Sequence, residues 1–324
     1  MTLELAALAD GLRANRGIAA KQDIGTVCER LGLRDGSKVL VGDDCAAIRD
    51  KDGHLLFAIE GFMNEFVAGD PWFAGWCGVM VNISDVAAMG GRPLAVVDAV
   101  WAHGHDEAEP VLAGLRAAAE AFGVPIVGGH TNVRTDRGQL SVAILGRANR
   151  LLSSFDARAG DCLIAAIDLR GRYREPFSNW EAATDAPAER LRGDIEILPG
   201  IAEAGLACAA KDISQGGLVG TAIMLAECSD VGIDIDITAI PIPGGIELAR
   251  WLVTFPSFGY LIPARPESAE AVIARFTARG IAAAVIGTIN STSQIRITDG
   301  LSHEIIRDCA TAPLLAPSRR EIAA

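Results

Sequence analysis

The chain has 324 residues, of which 50% are hydrophobic and 22% are charged. This globular composition excludes disorder of the whole chain, and the length predicts about two domains. The formal net charge of −12 argues against nucleic-acid binders and basic membrane-surface proteins, and it suits a protein that collects carboxylates around Mg²⁺.

The predicted elements of the first half alternate between helix and strand. The N-terminus is predicted to be an amphipathic helix, because its acidic residues and lack of a basic start argue against a signal peptide. Apolar residues at helical spacing predict a helix over 21–32 and a longer one over 72–87 that ends at Gly90-Gly91. The remaining predictions are a helix at 107–122 and strands at 39–41, 55–59, 94–100, 125–127 and 140–145.

A polar stretch at 149–160 predicts a boundary between domains 1–150 and 151–324. Residues 168–193 lack a periodic pattern and are interpreted either as a lid whose arginines receive an anion or as a solvated loop. These arginines are Arg170, Arg172, Arg174, Arg190 and Arg192. The other predictions are strands at 162–167, 233–237, 259–262, 283–289 and 294–298, and helices at 196–209, 218–228, 245–251 and 268–279.

Adjacent carboxylates at Asp43 and Asp44 follow a predicted strand and Gly42. Neighbouring like charges repel unless a cation binds between them, and hard oxygen ligands suit Mg²⁺. The alternative is an ordinary solvated turn, in which Gly and Asp are common.

A second polar pair, Asn82 and Asp85, interrupts the apolar helix over 72–87. The spacing of three residues places both side chains on one face of that helix. A buried carboxylate without a partner is costly, so Asp85 is either a ligand or faces water on the flank of the apolar stripe.

Glycine-rich segments occur at two further places. Gly128-Gly129-His130-Thr131 follows a predicted strand, and its backbone N–H groups are suited to an anion, although an ordinary glycine turn and a structural histidine remain alternatives. Lys211-Asp212 precedes Gly216-Gly217 and an apolar helix, an arrangement typical of a phosphate cradle. A plain helix start with Ser214 as the N-cap is the alternative there.

Together, in this order, these motifs resemble the aminoimidazole-ribonucleotide synthetase superfamily. That superfamily includes thiamine-monophosphate kinase, selenophosphate synthetase and a hydrogenase maturation factor. The strongest pieces are GDDCAAI (42–48), VNISDVAAMGGRPLA (81–95), GGHTN (128–132) and KDISQGGLVGT (211–221). The resemblance extends from residue 21 to about residue 298 of the chain.

The resemblance implies a two-domain α+β fold and a homodimer whose N-terminal strands close into a shared barrel. It implies an N-terminal domain that binds ATP and Mg²⁺ and dimerises, and a C-terminal α+β domain that completes the active site. The resemblance implies metal positions at Asp43, Asp44 and Asp85 and implies that Asp212 serves metal or substrate. Glu60 is assigned to the metals as well, and Asp85 and Asp212 are also assigned to catalysis. Nucleotide positions are Lys21, Asn82, Gly128, Gly129, His130, Thr131, Lys211, Gly216 and Gly217, the two lysines being surface residues in the alternative interpretation.

Several positions depart from the members of this superfamily. Glu60 stands where the kinases have an aspartate, the histidine that follows there is missing, and Gln215 replaces a carboxylate. The Gly-Gly-His sequence is closer to selenophosphate synthetases, yet Cys28 lies on the apolar face of a predicted helix and reads as a core thiol. The chain also ends without the cysteine of the hydrogenase factor. These differences indicate a divergent branch.

Three functional hypotheses remain. The first is an ATP- and Mg²⁺-dependent phosphotransferase, resembling thiamine-monophosphate kinase, that acts on a small-molecule acceptor. The second is a nucleotide-binding subunit without catalysis. The third is a synthetase that activates selenide, a carbonyl or an amide with ATP. Seven scattered cysteines without a CxxC pair fit a reducing cytoplasm, and no apolar run is long enough for a membrane span.

Overall fold

The computed structural model describes residues 2–33 and 39–317. The chain divides into two compact units, called here unit 1 and unit 2. Unit 1 comprises Met1–Asp44, Leu151–Ala182 and Ile201–Ala324, and unit 2 comprises Cys45–Arg150 and Ala183–Gly200. The division near residue 150 coincides with the predicted boundary, whereas residues 1–44 belong with the C-terminal half and 183–200 with the N-terminal half.

The bounds of the elements are as follows. The helices are α1 (Thr2–Arg13), α2 (Arg16–Ala20), α3 (Gln22–Arg30), α4 (Asn64–Gly69), α5 (Pro71–Ala88), α6 (His105–Phe122), α7 (Ala188–Asp194), α8 (Ile197–Ala204), α9 (Gly217–Ser229), α10 (Leu248–Trp251) and α11 (Pro266–Thr277). The strands are β1 (Ala46–Asp50), β2 (Gly53–Gly61), β3 (Arg92–His103), β4 (Ile126–Asn132), β5 (Arg134–Ala148), β6 (Cys162–Ile167), β7 (Arg172–Tyr173), β8 (Asn179–Glu181), β9 (Lys211–Asp212), β10 (Gly232–Asp236), β11 (Phe255–Pro256), β12 (Gly259–Ala264), β13 (Ala282–Asn290), β14 (Gln294–Thr298) and β15 (His303–Asp308).

Unit 2 is a five-stranded sheet, in the order β1-β2-β5-β3-β4, with α5 and α6 on one face. Strand residues alternate between faces, so Leu56, Val96 and Val142 point toward the helices and are fully buried. The two helices cross at Gly75 and Gly114, where their backbones approach too closely for any side chain. The apolar pattern of α5 is thereby explained, since this helix is buried between the sheet and α6.

The opposite face of the unit 2 sheet is apolar and exposed. Phe57 pairs in register with Leu145, and both project from this face. Their neighbours there include Ile48, Ile59, Val97 and Val127. Ile59 is 65% exposed and Val127 is 64% exposed, values that are unusual for aliphatic side chains on one continuous surface.

Unit 1 is built on a seven-stranded mixed sheet in the order β15-β14-β10-β13-β6-β12-β9. Its strand β6 is buried on both faces. Leu163 and Ala165 join the core cluster that contains α9, whereas Ile164 projects to the other face, on which α11 packs. Strands β7 and β8, from residues 172–181, form a small separate sheet with β11.

The α+β fold class is confirmed, and most long elements lie where the sequence predicts them. One local prediction and two of the alternative interpretations are wrong. Residues 39–41 form an irregular loop with bends instead of a strand, and the Asp43 side chain that follows them is held by Ser153 and Ser154. Gly128-Gly129 continues β4 instead of turning. The N-cap of α9 is Gly216, not Ser214, and Ser214 contributes only its carbonyl to the turn.

The segment 168–193 is folded rather than unpatterned, since it contains β7, β8 and α7. Strands β1 and β15 were not predicted. Among the described residues, no helix has the length and hydrophobicity that a membrane crossing requires.

A carboxylate and lysine cluster as the candidate functional site

Asp43 is held by two consecutive serines of unit 1. The hydroxyls of Ser153 and Ser154 donate to its two carboxylate oxygens, each at 2.7 Å, and the backbone N–H of Ser154 donates to both at 3.1 and 3.2 Å. The backbone N–H of Asp44 also donates to Asp43 Oδ1, at 3.2 Å. A carboxylate accepts about four hydrogen bonds in all, so these five contacts use the capacity of Asp43. The serine pair escaped the sequence analysis because about 110 residues separate it from Asp43.

Asp44 lies between Lys211 and Asp212. The Lys211 Nζ makes a short ion pair with Asp44 Oδ1, and the backbone N–H of Asp212 donates to Asp44 Oδ2 at 3.3 Å. Carboxylate oxygens of Asp44 and Asp212 lie within 4.8 Å of each other. Lys211 and Asp212 form β9, which pairs with β12 at the edge of the unit 1 sheet, so the sheet itself positions both side chains. Asp43, Asp44, Lys211 and Asp212 are called the unit 1 cluster below.

The unit 1 cluster is strongly desolvated. The side chains of Lys211 and Asp44 are only 4% and 5% exposed. Burial raises the pKa of Asp44 to about 6, an effect that Lys211 opposes and Asp212 reinforces. Burial also raises the pKa of Asp43, and although burial alone lowers the pKa of Lys211, its acidic neighbours raise that pKa above the usual range. Lys211 is therefore charged at physiological pH, and its burial, with 3% exposure, excludes the surface-lysine interpretation.

Cys228 borders the unit 1 cluster. Its Sγ donates to the carbonyl of Gly42 at 3.3 Å, and burial raises the pKa of its thiol far above the usual range. A thiol that stays protonated is a poor nucleophile, so Cys228 supports the loop before Asp43 instead of reacting.

Lys21 lies near the glycine-rich start of α9. The Nζ of Lys21 is 3.5 Å from the hydroxyl of Ser214, which stands two residues before Gly216 in the sequence. Gly217 has φ of +67°, and a Cβ there would lie 2.4 Å from the backbone of Leu252 and Val253. No side chain caps this helix, but the backbone N–H of Gly217 donates to the carbonyl of Ser214 at 2.9 Å and that of Val219 to the carbonyl of Leu252 at 3.5 Å. Backbone carbonyls therefore already satisfy part of the first turn.

In unit 2, Asn82 and Asp85 are buried on α5, with 0% and 6% exposure. The interpretation that Asp85 faces water is therefore wrong. The amide nitrogen of Asn82 donates to the carbonyls of Gly78 and Val142, at 2.8 and 3.0 Å, which fixes the orientation of the side chain. The remaining oxygen, Asn82 Oδ1, is buried and has no hydrogen-bond partner among the described residues. Such an atom requires an explanation, and a bound ion, water or ligand is one.

A row of residues crosses the unit 2 sheet on the face of α5. Glu60 and Asp98 both pair in register with Val142, on its two sides, and Asp98 pairs with Gly129 beyond. A Cβ on Gly129 would lie 2.8 Å from the Asp98 carboxylate, and burial raises the pKa of Asp98. Two strand spacings place Glu60 and Asp98 roughly 10 Å apart. Asp98 was missed because an acidic residue within a strand carries no motif of its own.

The structure places Glu60, Gly128, His130 and Thr131 on exposed parts of the unit 2 sheet, the last three on β4. The ring of His130 lies 5.9 Å from that of Trp101.

Two of the arginines proposed for a lid have structural roles. Arg170 makes a double-headed ion pair with Asp168, a carboxylate that is 2% exposed. Arg192 donates to the carbonyls of Glu120 and Ala121 at the end of α6. These contacts use several of the guanidinium donors of each residue and favour a structural role for both over the binding of an anionic acceptor.

Comparisons with known proteins decide the family. The model of the AIR synthase related protein N-terminal domain matches residues 42–148, and that of the C-terminal domain matches residues 174–300. The chain belongs to the AIR synthase related proteins. It is similar to an uncharacterized protein of Synechocystis sp., with 45% identity over 94% of this chain and 95% of that one.

Characterised relatives are more distant. A selenide, water dikinase of Geobacter metallireducens is 31% identical over 74% of this chain and 73% of its own length. The structure of T. maritima PurL complexed with ADP is similar in fold, with a TM-score of 0.72, 20% identity and coverage of 84% of this chain. This chain spans about half of that protein, covering 46% of it.

The residues of the unit 1 cluster fit a hard divalent cation. Mg²⁺ prefers a few carboxylate oxygens and otherwise keeps water or phosphate ligands. Asp44 and Asp212 supply carboxylate oxygens within 4.8 Å of each other, whereas both oxygens of Asp43 accept hydrogen bonds from Ser153 and Ser154. The donor set contains no histidine, and Cys228 is held in its protonated form, so softer metals are disfavoured.

Proposed function

We propose that the protein is an ATP- and Mg²⁺-dependent phosphotransferase that transfers the terminal phosphoryl group of ATP to a small-molecule acceptor, in the manner of thiamine-monophosphate kinase. The observation that carries the proposal is the pairing of Asp44 with Asp212 in a buried cluster of hard oxygen ligands. The motif resemblance and the membership of the AIR synthase related proteins support it.

The proposed roles follow from the contacts. In unit 1, Asp44 and Asp212 hold Mg²⁺. In unit 2 the candidate ligands are Asp85, which is buried on α5, and Glu60 on its exposed strand. When bound, Mg²⁺ neutralises charge on the phosphates and on the transferring group. Asp43 carries no metal in this proposal. Its contacts with Ser153 and Ser154 fix the loop that presents Asp44.

The nucleotide contacts are proposed on two surfaces. In unit 2 the orphaned oxygen of Asn82 and the segment Gly128–Thr131 are the candidates. In unit 1 they are Lys21, Gly216 and Gly217, where the Lys21 amine lies beside Ser214 at the glycine-rich start of α9. Lys211 is not a free phosphate ligand, because its ammonium is committed to Asp44.

The first test is a thermal-shift measurement with Mg²⁺ and ATP, ADP or a non-hydrolysable analogue. A ligand at 100 times its Kd stabilises a protein by about 2.7 kcal/mol, which is a shift of a few degrees at this size. We expect a shift with ATP that disappears in EDTA. ADP release is then measured with a panel of acceptors, beginning with thiamine monophosphate.

The outcomes separate the hypotheses. ADP formation that requires one acceptor supports the phosphotransferase. A Mg²⁺-dependent shift without turnover on any acceptor indicates a nucleotide-binding subunit. Positional isotope exchange in ATP that requires a carbonyl or amide compound indicates a synthetase. No shift with any nucleotide contradicts the proposal.

Selenide is a second candidate acceptor, favoured by the similarity to the Geobacter enzyme and by Gly-Gly-His. Cys28 is buried on α3, as the sequence predicts, so it is not an exposed reactive thiol near the N-terminus. Selenide therefore belongs in the acceptor panel, where selenide-dependent release of phosphate from ATP is the readout.

We further propose a cytoplasmic homodimer. All seven cysteines are free, which fits a reducing compartment. The exposed apolar face of the unit 2 sheet supports a second copy as its occupant, because the resemblance implies a barrel closed by these strands.

Ile59→Glu tests the dimer. We expect this variant to elute as a monomer in size-exclusion chromatography with light scattering, at concentrations where the wild type is dimeric, because an unpaired charge in an apolar interface is costly. Leu301→Glu is the control, since Leu301 is 81% exposed and belongs to unit 1. A dimeric Ile59→Glu variant contradicts this interface.

A further inference from the structure

Helix α9 contacts the main chain beside both carboxylates of the candidate metal site in unit 1. The hydroxyl of Thr221 donates to the backbone carbonyl of Asp212 at 3.2 Å. The Sγ of Cys228 donates to the backbone carbonyl of Gly42 at 3.3 Å, and Gly42 stands two residues before Asp44. One helix therefore holds the strand that carries Asp212 and the loop that carries Asp44.

The two donors share one face of α9. Thr221 and Cys228 are seven residues apart, which is about two helical turns and about 10 Å along the axis. Thr221 is 0% exposed, and its hydroxyl makes a tertiary contact, although a threonine within a helix commonly bonds a carbonyl of the preceding turn. Burial raises the pKa of the Cys228 thiol far above its usual range, so the thiol keeps the proton that it donates.

Helix α9 has little room to move within unit 1. All of its 13 residues except Glu227 and Ser229 are buried, and it packs against β10, β12 and β14. Interiors packed at this density resist the displacement of a whole helix. The distance between Thr221 and Cys228 is therefore a fixed length in this unit.

Ser229, the last residue of α9, strengthens the hold on the loop. Its Oγ donates to the backbone carbonyl of Ser154 at 2.5 Å, and the Ser154 hydroxyl donates to the Asp43 carboxylate. The C-terminal end of α9 thus holds this loop directly through Gly42 and indirectly through Ser154.

The contacts from α9 use no carboxylate oxygen, because both are made to backbone carbonyls. The contacts of Asp44 with Lys211 and with the N–H of Asp212, in contrast, occupy carboxylate oxygens. Mg²⁺ demands octahedral geometry with bonds of about 2.1 Å, which places adjacent ligand oxygens about 3 Å apart. The separation of the two carboxylates therefore affects the affinity for the ion, whatever other ligands the ion takes.

We propose that α9 is a spacer that sets the separation of the Asp44 and Asp212 carboxylates and thereby the affinity of the unit 1 cluster for a divalent cation. Thr221 and Cys228 are its positioning residues. This inference rests on the assignment of Mg²⁺ to Asp44 and Asp212 in the proposed function. It goes beyond that assignment, because it names residues that touch neither carboxylate and still determine how well the two fit one ion.

The test is a titration of the full chain with Mn²⁺, without nucleotide, followed by electron paramagnetic resonance. Thr221→Val removes the hydroxyl and keeps the shape of the side chain. We expect it to raise the Kd for Mn²⁺ about tenfold, because losing the contacts that orient metal ligands typically weakens binding by roughly 10- to 100-fold. Thr221→Ser keeps the hydroxyl and should restore the Kd to within about threefold of the wild type.

Cys228 tests the other end of the helix. Cys228→Ala removes the donor and should raise the Kd for Mn²⁺ by a similar factor. Cys228→Ser keeps a donor to the carbonyl of Gly42 and should bind Mn²⁺ more tightly than Cys228→Ala. Equal Kd values for these two variants would contradict the role of the hydrogen bond.

Thr254→Val is the matched control. Thr254 belongs to unit 1, is 2% exposed and donates its hydroxyl to the carbonyl of Arg250 at 2.9 Å. We expect this variant to melt at a lower temperature and to keep the wild-type Kd for Mn²⁺. A rise in Kd equal to that of Thr221→Val would mean that general loosening of unit 1 weakens metal binding, and it would overturn the proposal.

A purely structural role for the two residues gives a different result. Thr221→Val and Cys228→Ala would then lower the melting temperature while the Kd for Mn²⁺ stays within twofold of the wild type, which overturns the proposal. Each variant tests one end of α9 by itself, so failure of one to fold leaves the measurement on the other. Failure of both to fold would show that the two contacts hold the fold itself, and this also overturns the proposal.

Binding of Mn²⁺ to the wild type and to Asp212→Asn tests the metal assignment itself. Absence of binding to the wild type, or binding that Asp212→Asn leaves unchanged, contradicts the metal assignment of the proposed function. Binding that Asp212→Asn abolishes and that Thr221→Val and Cys228→Ala leave unchanged contradicts only the role of α9.

Discussion

Replacing Asp85 with asparagine is expected to reduce Mg²⁺-dependent ATP turnover by a factor of at least about 10³, because an amide oxygen retains the shape of the carboxylate but not its charge. Asp85 is 6% exposed in the middle of α5, a helix whose other buried residues are apolar except for Asn82. A carboxylate is retained in such surroundings at a cost, and the metal binding proposed for Asp85 would offset this cost.

The thermal stability of Asp85→Asn without Mg²⁺ should change little, in contrast to its activity. Asparagine is neutral, so Asp85→Asn removes the desolvation of a buried charge and leaves the packing of α5 intact. We expect the melting temperature without Mg²⁺ to stay within a few degrees of the wild type. The stabilisation by Mg²⁺ and ATP together should be lost.

Asp106→Asn is the matched control. Asp106 lies in the first turn of α6, in the same unit, and is exposed. We expect this variant to keep full turnover and the full nucleotide-induced shift. Full Mg²⁺-dependent activity of Asp85→Asn would contradict the metal assignment. An equal loss of ATP turnover in Asp106→Asn would mean that turnover depends on the total negative charge of unit 2 and not on one specific metal ligand.

The sequence predicts the elements whose signals are local. The apolar stripe of α5 and its end at Gly90-Gly91 are recovered, because each residue of the pattern lies within a turn of the next. Strand β6 is recovered as a continuous apolar run, which is what burial on both faces requires.

The errors occur where a distant segment decides the local structure. The sequence predicts a strand at 39–41, but this segment is a loop that leads to Asp43. The Asp43 carboxylate accepts hydrogen bonds from Ser153 and Ser154, which lie about 110 residues away along the chain. Gly128-Gly129 is extended because β4 pairs with β3, although an isolated glycine pair favours a turn. Tertiary pairing overrides local preference in both cases.

The candidate site shows the same division. The motifs identify Asp44, Asp85 and Asp212 from the sequence, since carboxylates in a glycine-rich or apolar setting are chemically conspicuous. The burial of Lys211 and the saturation of Asp43 depend on which atoms meet in space. These two contacts change the proposed roles, so the sequence indicates which residues are important more reliably than what each one does.

Replacing Gly114 with alanine is expected to destabilise the protein by about 3 kcal/mol or more. A Cβ on Gly114 would lie 1.9 Å from the carbonyl oxygen of Trp72 in α5, and a Cβ on Gly75 would lie 2.1 Å from the carbonyl oxygen of Val111 in α6. Both obstacles are helix backbone, which cannot move aside without separating the two helices. Loss of packing over α5, not the added methyl itself, is the source of this large effect.

Denaturant unfolding followed by tryptophan fluorescence measures this effect, since the rings of Trp72 and Trp76 stack 5.5 Å apart beside the crossing. Gly11→Ala is the control, because Gly11 lies in helix α1 with nothing within 4 Å of its Cβ position. That variant should be stabilised by about 0.5–1 kcal/mol, as alanine is the better helix former. If the free energy of unfolding of Gly114→Ala lies within 1 kcal/mol of the wild-type value, α5 and α6 tolerate separation. The close helix packing that buries Asp85 on α5 would then be contradicted.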